Sequence, residues 1–249
     1  MRGPPIVRVP SPGRLRRRAP LTSAVTVLAL LLPAALAAAH PASDVPRKPV
    51  SRHAGSVSAA DLLARVRDCT PVSHGRYRSD AGAPATIPVC GTGDAVFWTA
   101  DMDIDCDGRP GDHCNSDTDP LFSPTTAFTQ SDGRYPSAES LPYIVVPGPS
   151  DVWDYRDHGV RGGTVAAVVH GDRVLYAVVG DVGPSGIIGE ASYAAAEALG
   201  LSPDPLSGGA PSGVTYIVFE NSRATPVESH ASAVRVGERL ARQFVEGEG

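Results

Sequence analysis

Two stretches of the sequence concentrate residues able to do acid–base chemistry. The first runs from Gly180-Asp181 to Gly189-Glu190. A β-branched run, Arg173–Val179, leads to Gly180, so Asp181 is expected at the mouth of a buried strand. The loop Val182–Gly189 is glycine-rich, and Glu190 then precedes the alanine-rich segment Ala191–Leu199, so it is expected at a helix start. Two carboxyl groups carried to one opening by rigid elements are what glycosidic-bond hydrolysis requires. One protonates the leaving oxygen; the other activates water or attacks carbon. Spacing alone also permits a structural reading, with Asp181 capping the loop and Glu190 answering a helix dipole.

The second stretch is Asp101-Met102-Asp103-Ile104-Asp105-Cys106-Asp107-Gly108. As a strand, its period of two places Asp101, Asp103, Asp105 and Asp107 on one face and Met102, Ile104 and Cys106 on the other. A row of like charges is costly unless a cation balances it. Calcium, an arginine such as Arg109, or a polycationic substrate could do so. Asp103-x-Asp105-x-Asp107-Gly108 copies the first half of an EF-hand loop, but the twelfth position holds Cys114 instead of a bidentate Glu.

The surrounding elements must position these groups. Ser58 reads as an N-cap for a helix through Arg67. Ala95–Cys106, Tyr143–Val146, Thr164–His170, Arg173–Val179 and Thr215–Phe219 read as strands, with Gly171-Asp172 as a hairpin turn. Residues 201–213 form a Pro/Gly/Ser loop, and Ala231–Val245 an amphipathic C-terminal helix. Short strands flanked by a few helices imply a β-rich α+β single domain with a mixed or barrel-like sheet; a double-psi barrel is one form it could take.

Residues 1–39 combine six arginines, an apolar run and an Ala-Ala-Ala end, the three parts of a secretory signal peptide. Residues 40–57 read as a disordered linker and 58–246 as the working domain. The apolar run, about 16 residues, is shorter than the roughly 20 needed to span a bilayer, so no stable membrane anchoring is expected after cleavage. Losing six arginines and no acids takes 22 basic against 27 acidic residues to 16 against 27, a formal charge of −11. That balance excludes a nucleic-acid partner and suits a cationic or neutral substrate. Export also places Cys69, Cys90, Cys106 and Cys114 in an oxidising compartment. Short loops close most easily, favouring Cys69–Cys90 and Cys106–Cys114 over the other pairings. Ser192 lacks the G-x-S-x-G context of a serine nucleophile.

The Asp101–Gly108 string and the Gly180-Asp181…Gly189-Glu190-Ala191-Ser192 block together resemble glycoside hydrolase family 75, the chitosanases of filamentous fungi and actinobacteria. The resemblance covers residues 58–246 in the order of its elements. It implies endo-hydrolysis of β-1,4-linked glucosamine chains with inversion, Asp181 and Glu190 being the catalytic pair. The loop joining them is shorter than in fungal members and lacks their extra Asp residues. Chitosan is cationic below about neutral pH, which makes Asp101, Asp103, Asp105 and Asp107 candidate glucosamine contacts. Tyr143 and Trp98 are candidates for stacking on sugar faces, with burial in the core as their alternative. This reading expects a secreted monomer, no cofactor and no metal ligands. A non-catalytic module binding calcium or a cationic glycan competes with it, as does a peptidoglycan hydrolase.

Overall fold

The computed structural model describes residues 57–247, so the expected signal peptide and nearly all of the expected linker lie outside the described residues. Helix α1 (Ala59–Arg65) starts at Ser58 through a capping box with Asp61, as the sequence implies. Eight strands follow: β1 (Thr70–Pro71), β2 (Cys90–Thr92), β3 (Ala95–Asp105), β4 (Tyr143–Pro147), β5 (Val165–His170), β6 (Arg173–Gly183), β7 (Glu190–Ser192) and β8 (Ala210–Phe219). Helix α2 (Tyr193–Ala198) follows β7, and α3 (His230–Glu246) ends the domain.

The sheet order is β1-β2-β3-β7-β4-β6-β5-β8, and β3 also pairs with β8. Strands β3, β7, β4, β6, β5 and β8 therefore close into a six-stranded barrel. Pairings β3–β7 and β4–β6 are parallel and the remainder antiparallel, so the sheet is mixed. Both faces are covered. One carries Trp98, Ile144, Val179 and Tyr216; the other packs Phe97, Val145, Val178 and Ile217 together with residues of α1 and α3. Double-sided burial explains why Val165–Val169 is continuously apolar where a half-exposed strand would alternate.

The disulfides are Cys69–Cys90 and Cys106–Cys114, as the short-loop argument anticipates. Three local assignments change. Strand β6 runs past Gly180 to Gly183, so Asp181 lies within it. Glu190 opens a strand, β7, because it pairs in parallel with Asp103; the helix begins three residues later. Strand β8 starts at Ala210, inside the segment read as loop, because Ala210 pairs with Met102.

Candidate active site

Asp181 owes its position to one irregularity. Along the β4–β6 pairing, Tyr143 faces Val178 and Ile144 faces Val179, but Val145 faces Asp181, leaving Gly180 as an extra residue. Such a bulge shifts the alternation by one and re-aims the next side chain. Without it, Asp181 would share the side of Val179, in the core. With it, Asp181 falls beside Val145. Only glycine fits the bulge, since a Cβ at Gly180 would lie 2.5 Å from Tyr143 Cγ.

Glu190 reaches the same side through the segment Gly189-Glu190-Ala191-Ser192, in which each residue has its own task. Gly189 has φ +123°, and a Cβ there would collide with Asp101 Oδ1. Glu190 stands beside Asp103, while Ala191 is fully buried against Ile144. Ser192 Oγ caps α2 by accepting from Ala195 N–H, accepts from Tyr143 N–H (3.0 Å) and donates to Leu141 C=O (2.9 Å). This buried serine locks β7 to the start of β4, which rules out its acting as a nucleophile.

The Glu190 side chain extends across β4 towards β6, and a Cβ on Gly183 would lie 2.5 Å from Glu190 Oε2. Gly183 is two residues beyond Asp181 on β6, so Glu190 reaches the strand that carries Asp181. Both line one cleft of about 420 Å³. Asp103, Asp105 and Asp107 line it too, joined by Asp119 and Asp204 from distant loops. Among the described residues, no Lys or Arg lines this cleft.

Crowded acids resist ionisation. Burial, then the charges of Asp103, Asp181, Asp107 and Asp101, pushes Glu190 up to about 7. Burial also raises Asp181, but Asp181 Oδ1 accepts hydrogen bonds from Ala127 N–H (2.6 Å) and Val182 N–H (2.7 Å), which favour its ionised form. The two environments therefore differ: Glu190 holds a proton near neutrality, while Asp181 is hydrogen-bonded as a carboxylate. A proton donor and a proton acceptor on one cleft wall can perform general acid–base chemistry.

The aspartate row does not act as one unit. Asp101 is buried at 7% exposure and its Oδ1 has no hydrogen-bond partner. It groups with Asp80 and Asp103, whereas Asp105 and Asp107 group with Asp181; within each trio the nearest oxygens lie within 4.8 Å. An EF-hand arrangement would need Asp103, Asp105 and Asp107 to converge, and the two trios separate them. Either trio could in principle hold a cation. Asp105 and Asp107 also have structural work. Asp105 Oδ1 accepts from Asp107 N–H, and Asp107 Oδ1 from Ser123 N–H, both at 2.7 Å. These bonds fold the loop that delivers Ala127 to Asp181.

Tyr143 is fully buried, so it cannot stack on a sugar from the cleft wall; its ring packs under Gly180 and its hydroxyl donates to Asp107 C=O (3.0 Å). Trp98 is also core, stacked on Tyr216 at 5.4 Å between centroids. Asp80, Asp119 and Asp204 were not singled out from sequence. Asp119 and Asp204 do share a signal, as each opens an Asp-Pro-Leu tripeptide.

The sequence model of a family described as fungal chitosanase of glycosyl hydrolase group 75 matches residues 102–244, more than half of the chain. The chain belongs to this family. Similar proteins include an endo-chitosanase of Aspergillus oryzae, 32% identical over 150 residues, a span that covers 52% of this chain and 58% of that protein. Endo-chitosanase C of Aspergillus oryzae is 30% identical over 137 residues, covering 53% of this chain and 33% of the relative. The chain thus spans between one third and three fifths of the curated relatives it matches. The family match contains Asp181, Glu190 and every cleft-lining carboxylate named above. Among the described residues, no helix is long and apolar enough to cross a membrane.

Proposed function

We propose that this member of the group 75 family is a secreted endo-chitosanase that hydrolyses β-1,4-glucosamine linkages with inversion. One observation carries the reading: Asp181 and Glu190 share an acidic cleft in which Glu190 keeps its proton to about pH 7 and Asp181 is hydrogen-bonded as a carboxylate. Glu190 is the general acid, passing its proton to the glycosidic oxygen as the C1–O bond breaks. Asp181 is the general base, taking a proton from the water that attacks C1 from the opposite face. The net reaction adds one water and leaves Asp181 protonated and Glu190 ionised, and proton exchange with solvent resets the pair. Inversion asks for the two carboxyl groups to stand roughly 6.5–9.5 Å apart, leaving room for that water, against the roughly 5–5.5 Å of retaining enzymes.

The cleft's charge supports a polycationic substrate. Asp103, Asp105 and Asp107 meet glucosamine ammonium groups in this reading, while Asp101 lies behind the wall and acts through them. The two disulfides fit export, and the proposed hydrolysis asks for neither a partner subunit nor a cofactor. The test is reducing-end release from chitosan, chitin and peptidoglycan by wild type, Asp181→Asn and Glu190→Gln, with NMR of the first-formed anomer. Chitosan cleavage giving the inverted anomer, lost in both variants, is expected. A wild type that cuts none of the three polymers refutes the function, and active variants refute the assignment.

A further inference from the structure

The cleft has an apolar feature that the acid–base pair leaves unused. Two Asp-Pro-Leu turns, Asp119-Pro120-Leu121 and Asp204-Pro205-Leu206, contribute to its lining. They are 85 residues apart in sequence and built alike. In each, the aspartate Oδ1 accepts the leucine's own N–H at 2.8 Å. Proline at the centre fixes φ, so each turn is rigid before anything binds. Neighbours anchor both turns: Phe122 N–H donates to Asp119 C=O (3.2 Å) and Phe122 packs into the core, while Gly208 N–H donates to Asp204 C=O (2.7 Å). The result in each case is a leucine held out into solvent, 88% exposed at Leu121 and 70% at Leu206, the two most exposed large hydrophobic residues in the described chain.

We infer that Leu121 and Leu206 form an apolar binding site for the pyranose rings of the polysaccharide at the cleft rim. This inference rests on the proposed chitosanase reading. A pyranose presents C–H groups on its ring faces, and these need a dry partner. Aromatic side chains commonly serve, yet among the described residues none lines this cleft. The paired leucines supply that surface, and exposed Asp204 beside Leu206 offers a carboxylate to an ammonium on the same sugar unit, while Asp119 is buried in holding its own turn. One turn thus matches both halves of glucosamine, its apolar ring face and its charge. Rigid presentation lowers the ordering cost of binding.

The experiment is steady-state kinetics on chitosan with wild type, Leu121→Ser, Leu206→Ser, the double variant and a Leu121→Met/Leu206→Met control, alongside thermal melts and size-exclusion chromatography. Wild type that does not cut chitosan brings down the functional reading itself. With wild type active, the double serine variant should raise KM about tenfold, equivalent to about 1.4 kcal/mol, with kcat within twofold. The methionine variant should stay near wild type, and all melting temperatures should agree, since neither leucine is packed in the fold. An unchanged KM in the double serine variant overturns the inference. So does a wild-type dimer that the serine variant dissolves without a change in KM, which would make the leucines a self-association surface.

Discussion

Glu190→Gln separates the catalytic role proposed for this carboxyl from what it costs the fold. Burial and neighbouring acids raise Glu190 from 4.5 to about 7. Each tenfold change in proton affinity corresponds to about 1.36 kcal/mol, so the displacement is worth about 3 kcal/mol. Between pH 4.5 and 7 the folded protein binds this proton and the unfolded chain does not, so stability falls as pH rises through that window. The contribution is complete below pH 4.5 and gone above about 7. Glutamine is neutral throughout. At pH 8 the variant should therefore be more stable than wild type by up to about 3 kcal/mol, and at pH 4 the two should match. For a domain of this size, 1 kcal/mol moves the melting temperature by about 2–4 °C, so the full gain is about 6–12 °C. Asp101 and Asp107, both raised to about 6, still titrate in the variant and preserve a smaller slope between pH 4 and 6. In the proposed chitosanase reading, with Glu190 as general acid, chitosan hydrolysis should meanwhile drop by about 10²–10⁴-fold. Differential scanning calorimetry from pH 4 to 8, with reducing-end assays on the same samples, measures both effects. A variant that melts at or below the wild-type temperature at pH 8 would refute the claim that its surroundings disfavour the Glu190 carboxylate.

Gly183→Ala would put a Cβ 2.5 Å from Glu190 Oε2 without a backbone penalty, since Gly183 is not among the positive-φ glycines. The flexible carboxylate moves aside, so kcat should fall at least tenfold, about 1.4 kcal/mol, with little change in melting temperature. Gly189→Ala, at φ +123° and against Asp101, should lose both activity and about 1–3 kcal/mol of stability, read from urea denaturation. Replacing Cys106 and Cys114 by Ser opens an 8-residue link, for which chain entropy gives about 2.5 kcal/mol; calorimetry should show that loss, with reduced activity because this loop leads to Ala127 and Asp181. A kcat/KM profile should decline above about pH 7 as Glu190 releases its proton; a flat profile to pH 9 would deny it the acid's role.

Local features were legible in the sequence because local physics sets them. Ser58 caps its helix through a residue three positions away, and the cysteines pair over short loops. The apolar runs at Ala95, Tyr143, Thr164 and Arg173 need only their own composition to be strands. Asp181 and Glu190 could be picked out as carboxylates beside glycines, and their family resemblance named a chemistry. Their surroundings were another matter. The bulge at Gly180 exists only as a register shift against β4, 35 residues upstream, yet it decides whether Asp181 faces the core or the cleft. Glu190 becomes a strand residue because Asp103 lies beside it. Period two put four aspartates in one row; irregular pairing with β8 and the end of β3 at Asp105 divided them between two clusters. Asp119 and Asp204 enter the site from loops 85 residues apart. Sequence alone determined which residues could carry protons and which segments were stiff enough to hold them. Only the closed barrel decided which carboxylates meet, because strand register and loop convergence depend on partners far away along the chain.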